Sequence, residues 1–278
     1  MTIPHPRASW IDPATGQRVA HGEMLRRVAT RRAVLLGESH DIAEIHRWQL
    51  HVACGLHALQ PDMAIGVEMF PRRLQPVLDR WVAGELATED FLREAEWDAV
   101  WGFPPEIYLP LFHFCRQFRI PMLALNCRRQ LVRTVGQQGW AGVLPDEEDG
   151  VSLPVPATDA YRRYLFDITG GAGGRAAAPD AERFDRFVQA QQTWDRAFAD
   201  NILRGLGRRS LVVGIIGRGH LEYGHGTPVQ LRDLGVKEVA VLLPSERDSY
   251  DRAANAGIAD AVFRIDRPEP PAQRRAAA

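Results

Sequence analysis

Short apolar runs, each of strand length and each set apart from the next by helix-length sequence, constrain this chain more than any other feature. They are Ala33 to Gly37 (AVLLG), Met63 to Val67, Met122 to Leu125, Leu211 to Ile216 (LVVGII) and Val239 to Leu243. A run apolar at every position is a strand covered on both faces, and strands that alternate with helices pair in parallel. The intervening sequence is helical. Ile42, Ile45, Trp48, Val52, Leu56 and Leu59 form one stripe, and Ile107, Leu111, Phe114, Cys115 and Phe118 another. Pro71 to Trp81 carries its proline in the tolerated first turn, Thr88 with Asp90 begins a further helix, and one more runs from Arg128. A long helix carries Phe184, Phe187, Gln191, Trp194, Phe198 and Ile202 on one face. The predicted fold class is α/β, a mainly parallel sheet covered by helices on both faces.

The periodicity lapses between Ala141 and Ala181, where VLPDEEDG, VPATD and GGAGG interrupt it. This predicts a helical and loop insertion over about 141–181, with a short helix near Tyr161 to Phe166 and a mobile joint at Gly170 to Gly174. The whole reads as one α/β domain over 1–266, followed by a proline- and alanine-rich tail, 267–278, expected to be disordered.

With 278 residues, 45% of them hydrophobic, the chain can bury a substantial core. A net charge of -1 sets up no global field to gather polyanions, so no nucleic-acid partner is expected. No segment reaches the roughly 18 consecutive apolar residues of a membrane span. Met1 to Trp10 has no apolar run of the signal-peptide kind, which predicts a cytoplasmic protein, or an exported or periplasmic one whose leader has been removed. Cys54, Cys115 and Cys127 are odd in number and widely spaced, which fits neither a disulfide framework nor a CxxC metal site; two of them fall among core positions.

The residues that follow the strands carry the chemistry. The first run ends in Gly37-Glu38-Ser39-His40, the second in Glu68-Met69-Phe70, and the fourth in Gly217-Arg218-Gly219-His220-Leu221-Glu222-Tyr223-Gly224. In a parallel sheet these exits share one edge, and ligands bind outside that edge. Glu38, His40, Glu68 and His220 are therefore expected to converge. Any one of them alone would read as a helix cap or a solvated group; carboxylate or imidazole at three exits reads as a site. His46, His51 and His57 lie on one helix at spacings that do not share a face, and are expected to be solvated or to support the site from behind.

The GxxH of Gly37 to His40, the GVEMF of Gly66 to Phe70, and the GxxH of Gly217 to His220 running into Tyr223 to Pro228 resemble the ChaN-like haem-binding proteins. Gln75, Asp79, Gly84, Trp97, Trp101, Tyr108, Pro110, Leu125-Asn126 and Gln192 to Ala199 add to the likeness, which runs from about Val34 to Leu243. The resemblance implies an α/β fold related to the Tiki proteases and erythromycin esterases, and a protein that binds haem for uptake, trafficking or storage.

Two chemistries follow. In the first, Tyr223 is the axial iron ligand, its ionisation aided by Arg218 or an imidazole. Arg218, His220, Glu38, His40 and Glu68 then line the haem site, with Met69, Phe70, Leu221 and the Trp97 to Tyr108 segment against the porphyrin. A flat apolar disc in a shallow cleft predicts a haem-promoted homodimer. In the second, the same residues form a hydrolase, an esterase or protease. His40 and Glu68 are then catalytic, either around a divalent ion such as zinc or manganese or with His40 as the base. The chain carries neither a GxSxG elbow nor an HExxH helix.

Overall fold

A computed structural model describes residues 2–170 and 181–266. In chain order the strands are β1 (Thr2–Pro4), β2 (Trp10–Ile11), β3 (Arg18–Val19), β4 (Ala33–Glu38), β5 (Met63–Pro71), β6 (Met122–Asn126), β7 (Leu211–Gly217), β8 (Val239–Ser245), β9 (Ser249–Asp251) and β10 (Ala261–Arg264). The helices are α1 (His21–Ala29), α2 (Ala43–Leu59), α3 (Gln75–Ala83), α4 (Thr88–Glu94), α5 (Trp97–Val100), α6 (Leu109–Phe118), α7 (Arg129–Gln138), α8 (Asp159–Ile168), α9 (Ala181–Leu206) and α10 (Thr227–Asp233).

Eight strands form one sheet in the order β3-β2-β10-β8-β4-β7-β5-β6. From β10 to β6 every neighbouring pair is parallel, and the β2–β3 hairpin adds an antiparallel margin beside β10. β1 and β9 pair separately. Strand β4 shows why the apolar runs were informative. Val34 and Leu36 pack into one core with Trp48 and Val52 of α2, while Ala33 and Leu35 pack into the other with Phe198 and Ile202 of α9. With both faces covered, every position of the strand is apolar or functional.

Three differences from the sequence reading matter. Strand β5 continues past Val67 through a register shift to Pro71, which pairs with Asn126, so Pro71 ends a strand instead of opening a helix. A 3-10 turn, Arg72–Leu74, precedes α3. The short strands β2, β3 and β10, two to four residues each, lack a periodic signature long enough to read. In the insertion, α8 falls where the short helix was expected and Val151 packs against α7. Of the expected joint only Gly170 lies within the described residues, and the tail expected to be disordered lies outside them. No described helix is long and apolar enough to cross a membrane. Cys115 and Cys127 are buried, and Cys54 is exposed.

Candidate functional site

The chain direction reverses around β4 and β7. From β5 it moves on to β6 at one margin, and from β7 it crosses β4 to β8 and β10 on the other side. The carboxyl ends of β4, β7 and β5 therefore open onto the crevice where a parallel sheet binds its ligand. Glu38 is level with Gly217, and Glu68 follows Val67, which pairs with Ile215. Glu68 lies inside β5, at the register shift, and not beyond the strand end as expected.

Gly217 is the point of convergence. A methyl group there would stand 3.1 Å from His40 Cε1, 3.5 Å from His40 Nε2 and 3.4 Å from Glu68 Oε2. The Gly217 N–H donates to that same Glu68 oxygen, whose companion Oε1 makes no hydrogen bond among the described residues. The absence of a side chain at this position leaves the space in which a reacting group could sit.

Each histidine is held from behind by a buried carboxylate. His40 Nδ1 lies 2.8 Å from Glu38 Oε1, and Glu38 also accepts from Tyr108 Oη at 3.2 Å and Gln49 Nε2 at 3.0 Å. His220 Nδ1 lies 2.9 Å from Asp195 Oδ1, and Asp195 accepts further from Tyr161 Oη at 2.7 Å and Thr227 Oγ1 at 3.3 Å. An ionised carboxylate only accepts, so Nδ1 of both rings carries the hydrogen and Nε2 is the edge left for chemistry. Trp101 and Phe103 frame the His40 ring, with centroids 4.6 and 5.3 Å away.

The electrostatics favour retained protons. Burial opposes charge on His40, but its hydrogen bond to Glu38 and the charges of Glu68 and Glu38 outweigh this and raise its pKa. For His220 burial is likewise outweighed, by the charge and hydrogen bond of Asp195 and by Glu68. Burial pushes the Glu68 pKa up despite both imidazoles and the Gly217 N–H. Such a cluster can take a proton from water or a ligand and return it. Among the described residues, no group of three or more His, Cys, Asp or Glu side chains is arranged to hold a metal ion, so the expected alternative of zinc or manganese finds no ligand set.

Tyr223 and Arg218 stand apart. They line a cavity of about 710 Å³ with Leu243, Arg247, Tyr250 and Ile258, and its walls include none of Glu38, His40, Glu68 and His220. Arg218 is committed to an ion pair with Glu222, which also accepts from Tyr164 Oη at 3.0 Å. Burial and Glu222 raise the Tyr223 pKa above its ordinary value of 10.0, and Arg218 offsets this only in part. Arg218 thus acts in the expected direction, but burial and Glu222 outweigh it. Met69, Phe70, Leu221, Trp97 and Tyr108, expected to face a porphyrin, are core residues between 0% and 2% exposed.

Asp195 escaped the sequence reading. It lies on the stripe of α9 between Gln191 and Phe198, and an acidic residue at a core-facing helical position was the signal available. His46 supports the site from behind: it is buried, its ring tilted against Tyr108 at 4.1 Å, and it reaches the His40 carbonyl at 3.1 Å. His51 stacks on His21, and His57 packs on Phe114 and Phe118.

The sequence pattern of the family described as haem-binding uptake, Tiki superfamily, ChaN matches residues 24–231. No curated protein matches the chain. Among solved structures, one of cofacial haem binding to ChaN of Campylobacter jejuni superposes with a TM-score of 0.75 at 20% identity, covering 93% of this chain and 98% of that one. A succinoglycan biosynthesis protein superposes with a TM-score of 0.50 at 10% identity, over 88% of this chain and 72% of its own. An erythromycin esterase variant in its open conformation gives 0.46 at 13% identity, over 84% and 76%.

Proposed function

The chain belongs to the haem-binding uptake, Tiki superfamily, ChaN family, and from that membership we propose that it carries haem in uptake, trafficking or storage, with Tyr223 as the iron ligand. One observation carries the choice of residue. Of the 5 tyrosines, Tyr108 donates to Glu38, Tyr161 to Asp195, Tyr164 to Glu222 and Tyr250 to the Asn255 carbonyl. Tyr223, 38% exposed, has no hydrogen-bond partner for its hydroxyl among the described residues.

Its backbone adds support. Tyr223 holds a left-handed φ of 59° inside a 3-10 turn, a conformation that costs a residue with a side chain about 1 kcal/mol or more. Its N–H is fixed by the Ile258 carbonyl at 2.9 Å. Strain maintained by tertiary contacts at an exposed aromatic residue is a mark of function. The surroundings suit a porphyrin. Tyr164 meets the Tyr223 ring edge-on at 5.8 Å, and the exposed Ile168 of the same helix, α8, lies beside Gly219. Haem supplies a ferric iron that takes a hard oxygen ligand. Arg247, whose side chain makes no ion pair among the described residues, is the cation of the Tyr223 cavity suited to a propionate.

Hemin titration tests this reading. The wild type is expected to shift the Soret band and show a tyrosinate charge-transfer band. Tyr223→Phe keeps the ring and should lose that band, with affinity down about tenfold or more, the loss of one strong ligand. His220→Ala, at a residue outside the walls of the Tyr223 cavity, should leave the spectrum and the affinity close to those of the wild type. A spectrally silent Tyr223→Phe beside a His220→Ala that abolishes the iron signal would move the ligand to His220. If hemin failed to bind, while hydrolysis of p-nitrophenyl acetate disappeared in Glu68→Gln, the hydrolase reading would replace the haem one.

A further inference from the structure

The outer margin of β6 carries a second cavity, of about 550 Å³, between α3 and α9. Ala64, Met122 and Leu123 give it an apolar floor, and Arg72, Arg204, Arg208 and Arg209 stand around it, against Asp79 as the acid in its wall. Asp79 already accepts from Gln75 Nε2 at 2.9 Å, and Arg209 is paired with Asp62 at 3.3 Å. The other guanidiniums are less committed. Arg204 donates to the Asn201 side chain at 2.8 Å and to the Gly150 carbonyl, and the side chains of Arg72 and Arg208 make no hydrogen bond or ion pair among the described residues.

Arg72 and Arg204 meet at Gly150. A methyl group on that glycine would lie 2.6 Å from Arg72 Nη2, while its carbonyl receives Arg204. Burial first, and the Arg72 charge second, depress the Arg204 pKa, in spite of Asp149 and Asp200. Those two acids are engaged elsewhere, Asp149 with Arg128 and Asp200 with Ser152 and Arg196. Like charges are thus held together over an apolar floor, and an anion would relieve the repulsion.

We propose that this cavity binds a phosphomonoester with a small apolar body, its phosphate oxygens taken by Arg72, Arg204 and Arg208 and its apolar part covering Met122 and Leu123. A phosphate dianion offers three terminal oxygens to guanidinium forks, and the volume falls within the range of small-molecule pockets. The cavity shares no lining residue with that of Tyr223.

Calorimetric titration of the full chain with 1-naphthyl phosphate at low salt tests the proposal. Saturable binding at one site is expected, tighter than for inorganic phosphate. Arg72→Ala with Arg208→Ala should weaken it about tenfold or more, since a hydrogen bond to a charged group contributes at least that factor. Neither side chain has a hydrogen-bond or ion-pair partner to lose among the described residues, so the unfolding midpoint should stay unchanged, and Tyr223→Phe should bind the ester as the wild type does. Wild-type affinity in the double variant, inorganic phosphate binding as tightly as the ester, or no saturable heat in the millimolar range would each overturn it.

Discussion

Among the described residues the Glu68 carboxylate makes no direct hydrogen bond to a cation; its partner is the main-chain N–H of Gly217. Its own raised pKa, and those of His40 and His220, all mean that the folded protein holds these protons to higher pH than the unfolded chain does. Stability from this source is complete below the unfolded values and is lost as pH rises through the folded ones. For the two histidines the loss begins above their ordinary 6.5. Urea midpoints of the wild type should therefore fall as pH increases from near neutrality into the alkaline range. His220→Gln, which can still donate to Asp195, should show a shallower fall, and identical slopes for the two proteins would refute the coupling. The four residues of this cluster were legible because strand exits of a parallel sheet share an edge. Tyr223 was assigned to the same rim because it is three residues from His220, but the 3-10 turn and its positive φ carry it onto a different cavity. Asp195 stayed hidden because its role depends on the packing of α9 across the exit of β7.

Strand β6 ends the sheet, and an exposed edge invites further pairing. Gln75 covers it. Its Nε2 donates to the Met122 carbonyl at 2.7 Å and its Oε1 accepts from the Ala124 N–H at 2.8 Å, so one side-chain amide stands in for the next strand. Gln75→Ala should destabilise the fold by about 1–3 kcal/mol, the cost of two backbone groups left without partners. It should also raise light scattering at high protein concentration. Unchanged stability and no added scattering would show the edge to be protected by other means. The principal strands could be read because burial on both faces fills them with apolar residues. The β2–β3 hairpin could not, since only contact with β10 makes its few residues strands.

At the scale of the whole molecule, the insertion is bound to the site. Tyr161 of α8 and His220 after β7 share the Asp195 carboxylate, and Tyr164 of α8 reaches Glu222 beside Tyr223. This face presents Tyr223 and Ile168 to solvent, and a haem on it would keep one side exposed unless a second copy covered it. Sedimentation velocity should show a monomer without hemin and a dimer with it; an unchanged monomer holding tightly bound haem would exclude a shared site. The donor that fixes Glu68 belongs to the main chain of Gly217, and no replacement except proline can delete it. Substitutions among the surrounding acids and imidazoles therefore leave this donor in place, fixed by the strand itself.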